Sequence, residues 1–393
     1  MRCILVTALD LVKNFFSYLV CLLSFYTNRL KSRHRGLTAE QRTGTIQLLL
    51  ALNWPSMNKK RIYVAYTGGT IGMQYSKNGY IPVPGFLTDT VRAMPEFYRP
   101  EMPEFVIHEY HPVIDSSDMT PAHWVTIAED IRLNYADYDG FVVLHGTDTM
   151  AYTAAALSFM LEDLCKPVII TGSQIPLAQL RSDGQVNLLN SLYLAANYPI
   201  AEVSLYFNNQ LFRGNRATKA DADGFNAFAS PNFPPLLQAG IHIELKAGQL
   251  YQGVIKPTLT VAQVTPQPIS VVTLYPGIRP DVIANMVAAP VRALIIKSYG
   301  VGNAPQNPQL LTALTEAADR GTVIVNCTQC FKGKVNMGGY ATGNALRQCG
   351  VSSGFDMTLE AALTKLHYLL SKPLSVEQVR EQLQQSLRGE LTL

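Results

Sequence analysis

Cysteine is scarce in this sequence, net charge is small and apolar runs are short, and each shortage removes a class of protein. Six cysteines in 393 residues leave no disulfide framework. Cys327 and Cys330 have CxxC spacing, but no second ligand pair or thioredoxin-like context accompanies them. We therefore expect reduced thiols behind an apolar strand, in a reducing compartment, and not a zinc or redox site. No HExxH pattern and no Cys/His cluster occurs, so neither a metal nor a cofactor is expected. The formal net charge is +3, which gives no electrostatic footprint for nucleic acid. What is present is a hydrophobic fraction of 48% against 16% charged residues, the balance of a folded globular chain long enough for two domains.

The charge is unevenly spread. Residues 1–56 hold seven basic and two acidic side chains, a net of +5, which leaves −2 for the remainder. They also hold the apolar run Phe15–Tyr26, 12 residues long, where a membrane span needs about 20. The basic stretch follows that run and no small-x-small cleavage site is evident, so the order does not suit a signal peptide. At Met57 the text changes character: a few polar residues and then the first strand. We expect residues 1–56 to be an extension from a misassigned start, outside the fold, on a cytoplasmic protein that does not enter a membrane.

Beyond Met57, apolar runs alternate with helical patterns. Strands are expected at 61–66, 105–110, 140–145, 167–171, 202–207, 293–298 and 322–326, with a further one near 271. Helices are expected from Thr120-Pro121 to about Tyr135, and over 149–164, 185–198, 307–320, 357–371 and 375–388. In 185–198, Val186, Leu189, Tyr193 and Ala196 fall on one face. Several strand candidates are continuously apolar, as strands buried on both faces of a parallel sheet must be. The fold class expected is α/β, with two domains of mostly parallel sheet: an N-terminal domain over 57–248, a proline-bearing connection over 249–270, and a smaller C-terminal domain over 271–393.

Two loops at the ends of strand candidates stand out. "YTGGTIGM" spans residues 66–73, and "HGTDTM" spans residues 145–150. Ligands in open α/β sheets bind beyond the carboxyl ends of strands, and glycine lets the backbone approach a ligand and aim its N–H groups at it. Neither loop is a phosphate cradle, since the P-loop lysine and the GxGxxG spacing are both absent. Taken alone, Lys219 is an ordinary solvated lysine, Tyr80 an ordinary loop tyrosine, and Asp148 either a turn cap or a site residue. His145 tempts a general-base reading, but we expect it to be structural.

Taken together, TGGTIG, HGTDTM, the ATK segment at 217–219 and "NMGGYATGNAL" at 336–346 resemble the bacterial-type L-asparaginases, in the family's order, from about Met57 to the C-terminus. Within that family the chain is similar to the cytoplasmic type I branch. The resemblance implies an asparaginase/glutaminase-like fold and hydrolysis of L-asparagine through a covalent acyl-enzyme. It makes Thr70 the nucleophile, with Tyr80 of the following "NGY" as neighbour and proton acceptor. Thr147, Asp148 and Lys219 become a second catalytic group. Asp115 and Ser116 of "DSSDM" would hold the substrate.

The chemistry suits these types. A threonine hydroxyl needs an adjacent base or a positive field, an oxyanion needs N–H donors, and departing ammonia needs a proton route. The substrate ammonium suits Asp148, and its carboxylate suits Ser116 and Thr147. The resemblance further implies a homodimer or homotetramer, with Asn303 of "GVGNAPQ" contributed by a neighbouring copy. It also implies a second asparagine site at Thr218, Lys297 and Cys330, where lysine stands in place of the usual arginine. Two other readings share the motifs: the ammonia-releasing subunit of a tRNA-dependent amidotransferase, which needs a partner subunit, and a non-catalytic amino-acid-binding protein, which needs no nucleophile.

Overall fold

In the strand Arg61–Tyr66 five consecutive residues are buried. Ile62, Val64 and Tyr66 face one core, and Tyr63 and Ala65 face the other, which is why the strand reads as an unbroken apolar run. The computed structural model describes residues 59–393 except 78, 247, 249, 252–257 and 339–340. The expectation for residues 1–56 therefore lies outside the described residues.

Arg61–Tyr66 sits near one edge of an eight-stranded sheet. It pairs in parallel with Glu104–Glu109 on one side and Gly140–Leu144 on the other. Val168–Thr171 and Val203–Phe207 continue the parallel run. Gln210–Arg213, Leu237–Ala239 and Ile243–Leu245 then extend it as antiparallel strands. A second sheet of four parallel strands runs Ile269–Thr273, Ala293–Ser298, Val323–Thr328, Ser352–Ser353. The α/β class with mostly parallel sheets is thus observed.

One core lies between the large sheet and the helices Pro121–Asn134 and Met150–Met160, and it continues onto one face of the second sheet through Ala293, Ile295, Val323 and Val325. The helix Leu359–Leu370 supplies Leu366 and Leu369 to it, and Phe159 meets Tyr368 with ring centroids 5.8 Å apart. Met150–Met160 is buried at every position except Tyr152, because it is covered by the sheet and by Leu359–Leu370 at once. Each large apolar side chain so buried stabilises the fold by about 1.5–3 kcal/mol.

Several details depart from expectation. The helix expected over 149–164 ends at Met160. Leu161–Glu162 pairs instead with Thr260–Val261, inside the segment read as an irregular connection, and the Glu162 carboxylate is held by Lys372 Nζ at 2.8 Å and Tyr368 Oη at 2.5 Å. The helix expected to reach 388 stops at Leu383. There the buried Lys365 ammonium draws in the carbonyls of Leu383 (2.9 Å) and Gln385 (2.6 Å), and a helix cannot continue through carbonyls so committed. On Gly184–Asn197 the buried stripe is Asn187, Leu188, Ser191, Leu192 and Ala195; Val186 is exposed. Asn187 tolerates burial because its Nδ2 donates to Gly172 O at 3.0 Å, a partner invisible to hydrophobic periodicity. Cys327 is buried as expected, but Cys330 is exposed in the loop beyond its strand.

Candidate active site

The two glycine loops leave the carboxyl ends of adjacent strands, Arg61–Tyr66 and Gly140–Leu144. Thr67 ties them together, its N–H and hydroxyl both donating to Leu144 O at 3.0 and 2.9 Å. Gly68 and Gly69 hold φ of +142° and +96°, in the region that favours glycine. A Cβ on Gly68 would stand 2.2 Å from Ile114 O, and one on Gly69 would stand 2.4 Å from Gly146 N. Backbone is packed against backbone at both points, so no side chain fits. Gly146 is crowded in turn, since a Cβ there would lie 2.4 Å from Ser116 Oγ. Thr70 follows Gly69 and Thr147 follows Gly146, so the two hydroxyl residues flank one contact. Thr70 is half-buried and opens the short 3-10 turn Thr70–Gly72.

Lys219 comes from a two-stranded ribbon, Thr218–Lys219 against Phe228–Ala229. Its Nζ donates to Thr147 Oγ1 and to Asp148 Oδ1, both at 2.9 Å. The expected group of Thr147, Asp148 and Lys219 is therefore assembled. Asp148 is well exposed, with its side chain 65% accessible against 22% for Lys219. Such a pair contributes about 0–1 kcal/mol to stability, so its value is positional. Thr147 is buried and donates to Gln174 Oε1 at 3.1 Å.

Ser116 is buried beside Gly146, and its carbonyl accepts from Thr149 Oγ1 at 2.6 Å. Asp115 is exposed and caps a 3-10 turn. Its carboxylate accepts from Ser117 N (2.9 Å) and Oγ (2.8 Å), and these bonds, the backbone one foremost, hold its pKa below the ordinary value. Tyr80 lies on the hairpin Met73–Ser76/Gly79–Pro82. It is 45% exposed, and its hydroxyl accepts from Gln179 Nε2 at 2.5 Å. His145 is fully buried, with Nδ1 on Gly146 O at 2.7 Å and Nε2 on Thr153 Oγ1 at 2.8 Å. Burial lowers its pKa to about 4, so the ring is neutral and serves as a brace behind the loop.

Of the remaining candidates, Lys297 lies on the second sheet, Asn303 and Cys330 lie in loops that follow its strands, and Thr218 lies on the lysine ribbon. Asn303 closes a tight turn after Ala293–Ser298, its N–H donating to Tyr299 O at 2.8 Å. Lys297 is in register with Cys327 on the next strand, and burial pushes the Cys327 thiol up to about 12. The Cys330 N–H donates to Thr328 Oγ1 at 3.0 Å. Thr218 Oγ1 donates to Glu360 Oε1 at 2.7 Å. Glu360 is a buried carboxylate whose pKa is raised by burial and partly restored by Thr218 and Lys297.

Sequence reasoning missed Gln174, Gln179 and Glu360. Gln174 alone had a signal, because it follows the strand Val168–Thr171, the neighbour of Gly140–Leu144, and so sits at a third adjacent strand end. A groove of about 670 Å³ reaches Ile114 and Asp115 beside the helix Pro121–Asn134, and its lining includes none of Thr70, Thr147 and Lys219.

Comparison with known proteins gives a consistent picture. Residues 61–251 match the family model for the asparaginase N-terminal domain, and residues 268–383 match that for the glutaminase/asparaginase C-terminal domain. The chain is similar to L-asparaginase 1 of Escherichia coli (strain K12), 68% identical over 337 residues that cover 86% of this chain and 99% of that protein. It is 44% identical over 356 residues to the 60 kDa lysophospholipase of Homo sapiens, covering 85% of this chain and 62% of that protein. Among solved structures it is similar to L-asparaginase I from Vibrio cholerae, with a TM-score of 0.80 and 62% identity over 85% of this chain and 100% of that one.

Proposed function

The chain belongs to the asparaginase family, and on that premise we propose that it hydrolyses L-asparagine to L-aspartate and ammonia with Thr70 as nucleophile. The observation that carries this reading is the hydrogen-bonded group of Lys219, Thr147 and Asp148, joined to Thr70 across the Gly69–Gly146 contact. The 68% identity to an L-asparaginase over nearly all of that protein supports the same activity.

Thr70 Oγ adds to the side-chain carboxamide carbon and loses its proton to Tyr80. N–H groups of the cramped glycine turns receive the developing oxyanion. The C–N bond then breaks, and nitrogen leaves as ammonia with a proton delivered through Tyr80. Water attacks the resulting Thr70 ester and releases aspartate. The Lys219 ammonium supplies the positive field that a neutral hydroxyl nucleophile needs. Ser116 and Asp115 hold the substrate, and Asp148 meets its ammonium.

Purified protein given asparagine alone should release ammonia and aspartate in equal amounts. Release only with an added partner would favour the amidotransferase reading, and binding without release would favour the silent binder. Asparagine and glutamine differ by one methylene, worth about 1–3 kcal/mol, so a slower glutaminase reaction is expected.

The finer features belong to the same proposal. The enzyme works in the cytoplasm as a homodimer or homotetramer, with Asn303 reaching a neighbour's site. The free thiols of Cys165, Cys327, Cys330 and Cys349 support a reducing compartment, and among the described residues no helix is long and apolar enough to cross a membrane. Thr218, Lys297 and Cys330 form a second asparagine site. Thr218 and Lys297 both act on Glu360, and Thr218 adjoins Lys219, so an effector there would reset the lysine. Lys297 lacks the planar fork of an arginine, which makes effector binding weak. Initial rates over two decades of asparagine should be sigmoidal; a hyperbola unchanged by Thr218→Ala would remove the second site.

A further inference from the structure

We infer that Gln174 is a positioning residue that fixes the polarity of the Thr147 hydroxyl, making Thr147 an acceptor toward the reacting atoms. The inference rests on the asparaginase reading above. The Gln174 amide has no freedom to flip. One end lies 3.1 Å from Ala222 O and 3.1 Å from Gly224 O. Both are carbonyl oxygens that can only accept, so this end must be the NH₂. The other end, Oε1, faces Thr147 Oγ1 at 3.1 Å. An amide oxygen cannot donate, so Thr147 gives its only proton to Gln174. Lys219 Nζ, 2.9 Å from the same hydroxyl, can only donate. One lone pair of Thr147 Oγ1 is left for anything that enters the site.

This reverses the expectation that Thr147 donates to the substrate carboxylate. A hydroxyl so arranged accepts a hydrogen bond from the attacking water or from an N–H of the substrate, and donates to neither. The amide itself is held at its base. The Gln174 N–H donates to both oxygens of the Asp183 carboxylate, at 3.1 and 3.0 Å, and Asp183 is steadied by Asn187 Nδ2 at 3.3 Å. The NH₂ end also grips the 222–224 turn that joins the two strands of the lysine ribbon. One side chain therefore orients Thr147 and anchors the segment carrying Lys219.

Two variants of similar shape test this. Gln174→Met removes acceptor and donors together and leaves the Thr147 hydroxyl free to rotate. Its kcat for asparagine should fall about 10- to 100-fold, the scale of a misaligned catalytic group, while KM changes by less than about threefold. Gln174→Glu keeps an acceptor facing Thr147 and should retain a higher kcat than Gln174→Met. A Gln174→Met enzyme with kcat within about twofold of wild type would overturn the inference. So would a rise in KM that accounts for the whole loss, or a Gln174→Glu variant no better than Gln174→Met. If the unaltered protein releases no ammonia from asparagine, the functional reading fails; if it does and Gln174→Met matches it, only the role of Gln174 fails.

Discussion

Lys219 and Tyr80 are both carried on two-stranded ribbons, and the ribbons differ in how firmly they are held. The Thr218–Lys219/Phe228–Ala229 ribbon is pinned by buried Phe228, whose ring lies 5.1 Å from that of Phe207. The Gln174 amide grips its turn, and Lys219 finds two partners at 2.9 Å. The Met73–Ser76/Gly79–Pro82 hairpin shows the opposite: Tyr75 is 72% exposed and Tyr80 45%, and their rings lean on each other at 5.6 Å. The lysine side of the site is held together by hydrogen bonds within the fold. The tyrosine side sits in solvent, where hydrogen bonds to it are weak until water is excluded. Thr70, the proposed nucleophile, stands between the two, after a turn that neither glycine could vacate.

That contrast makes separable predictions. Thr70→Ala removes the group both sides serve and should lower asparagine turnover by about 10^4 or more. Steady-state ammonia release would measure it, and retention of a tenth of the activity would show that both sides serve another atom.

Gly69→Ala attacks the contact joining the lysine side to Thr70. The added Cβ meets Gly146 N at 2.4 Å on a backbone with φ +96° and ψ 169°, so backbone must move. We expect destabilisation of about 3 kcal/mol or more together with loss of activity, read from urea unfolding and from turnover on the same preparation.

Tyr80→Phe should separate the two properties. Turnover falls by about 10²-fold, at the lower end for a lost proton-transfer group, while the thermal midpoint stays put because the residue is exposed. A lowered midpoint would show that the hairpin is structural after all.

The smallest effect on activity concerns the brace behind the lysine side. His145 is held neutral, its pKa lowered to about 4 by burial against about 6.5 in an unfolded chain. The unfolded state therefore binds the proton more readily. Stability from this residue is complete above about pH 6.5 and is lost as pH falls toward 4, by up to about 3 kcal/mol. Unfolding free energies at pH 7 and pH 4.5 should differ less in a His145→Asn variant than in wild type.

The comparison also explains what was legible in the sequence. The central strands were readable because burial on both faces leaves an unbroken apolar run, and Ala293–Ser298 is found where that pattern ends. The glycine loops were readable because close approach of backbones admits one residue type, as Gly69 against Gly146 demonstrates. Thr70, Thr147 and Asp148 became candidates through motifs on those loops, and Lys219 only through the family resemblance of the separate ATK segment. The early ends of two helices were not, because a buried ammonium at Lys365 and a strand partner at Thr260–Val261 decide them from outside the segments concerned.

What the sequence determined by itself was therefore local: where the chain runs buried, where it must turn without a side chain, and which hydroxyl, carboxylate and ammonium groups those turns carry. Only the tertiary structure decided how these groups are oriented. Lys219 reaches Thr147 across 72 positions, Tyr80 reaches Gln179 across 99, and Thr218 reaches Glu360 across 142. A hydrogen bond between side chains so far apart leaves no periodicity in either segment. Its direction, as with the Thr147 proton turned toward Gln174, depends on which donors and acceptors the fold brings within 3 Å or so of one another.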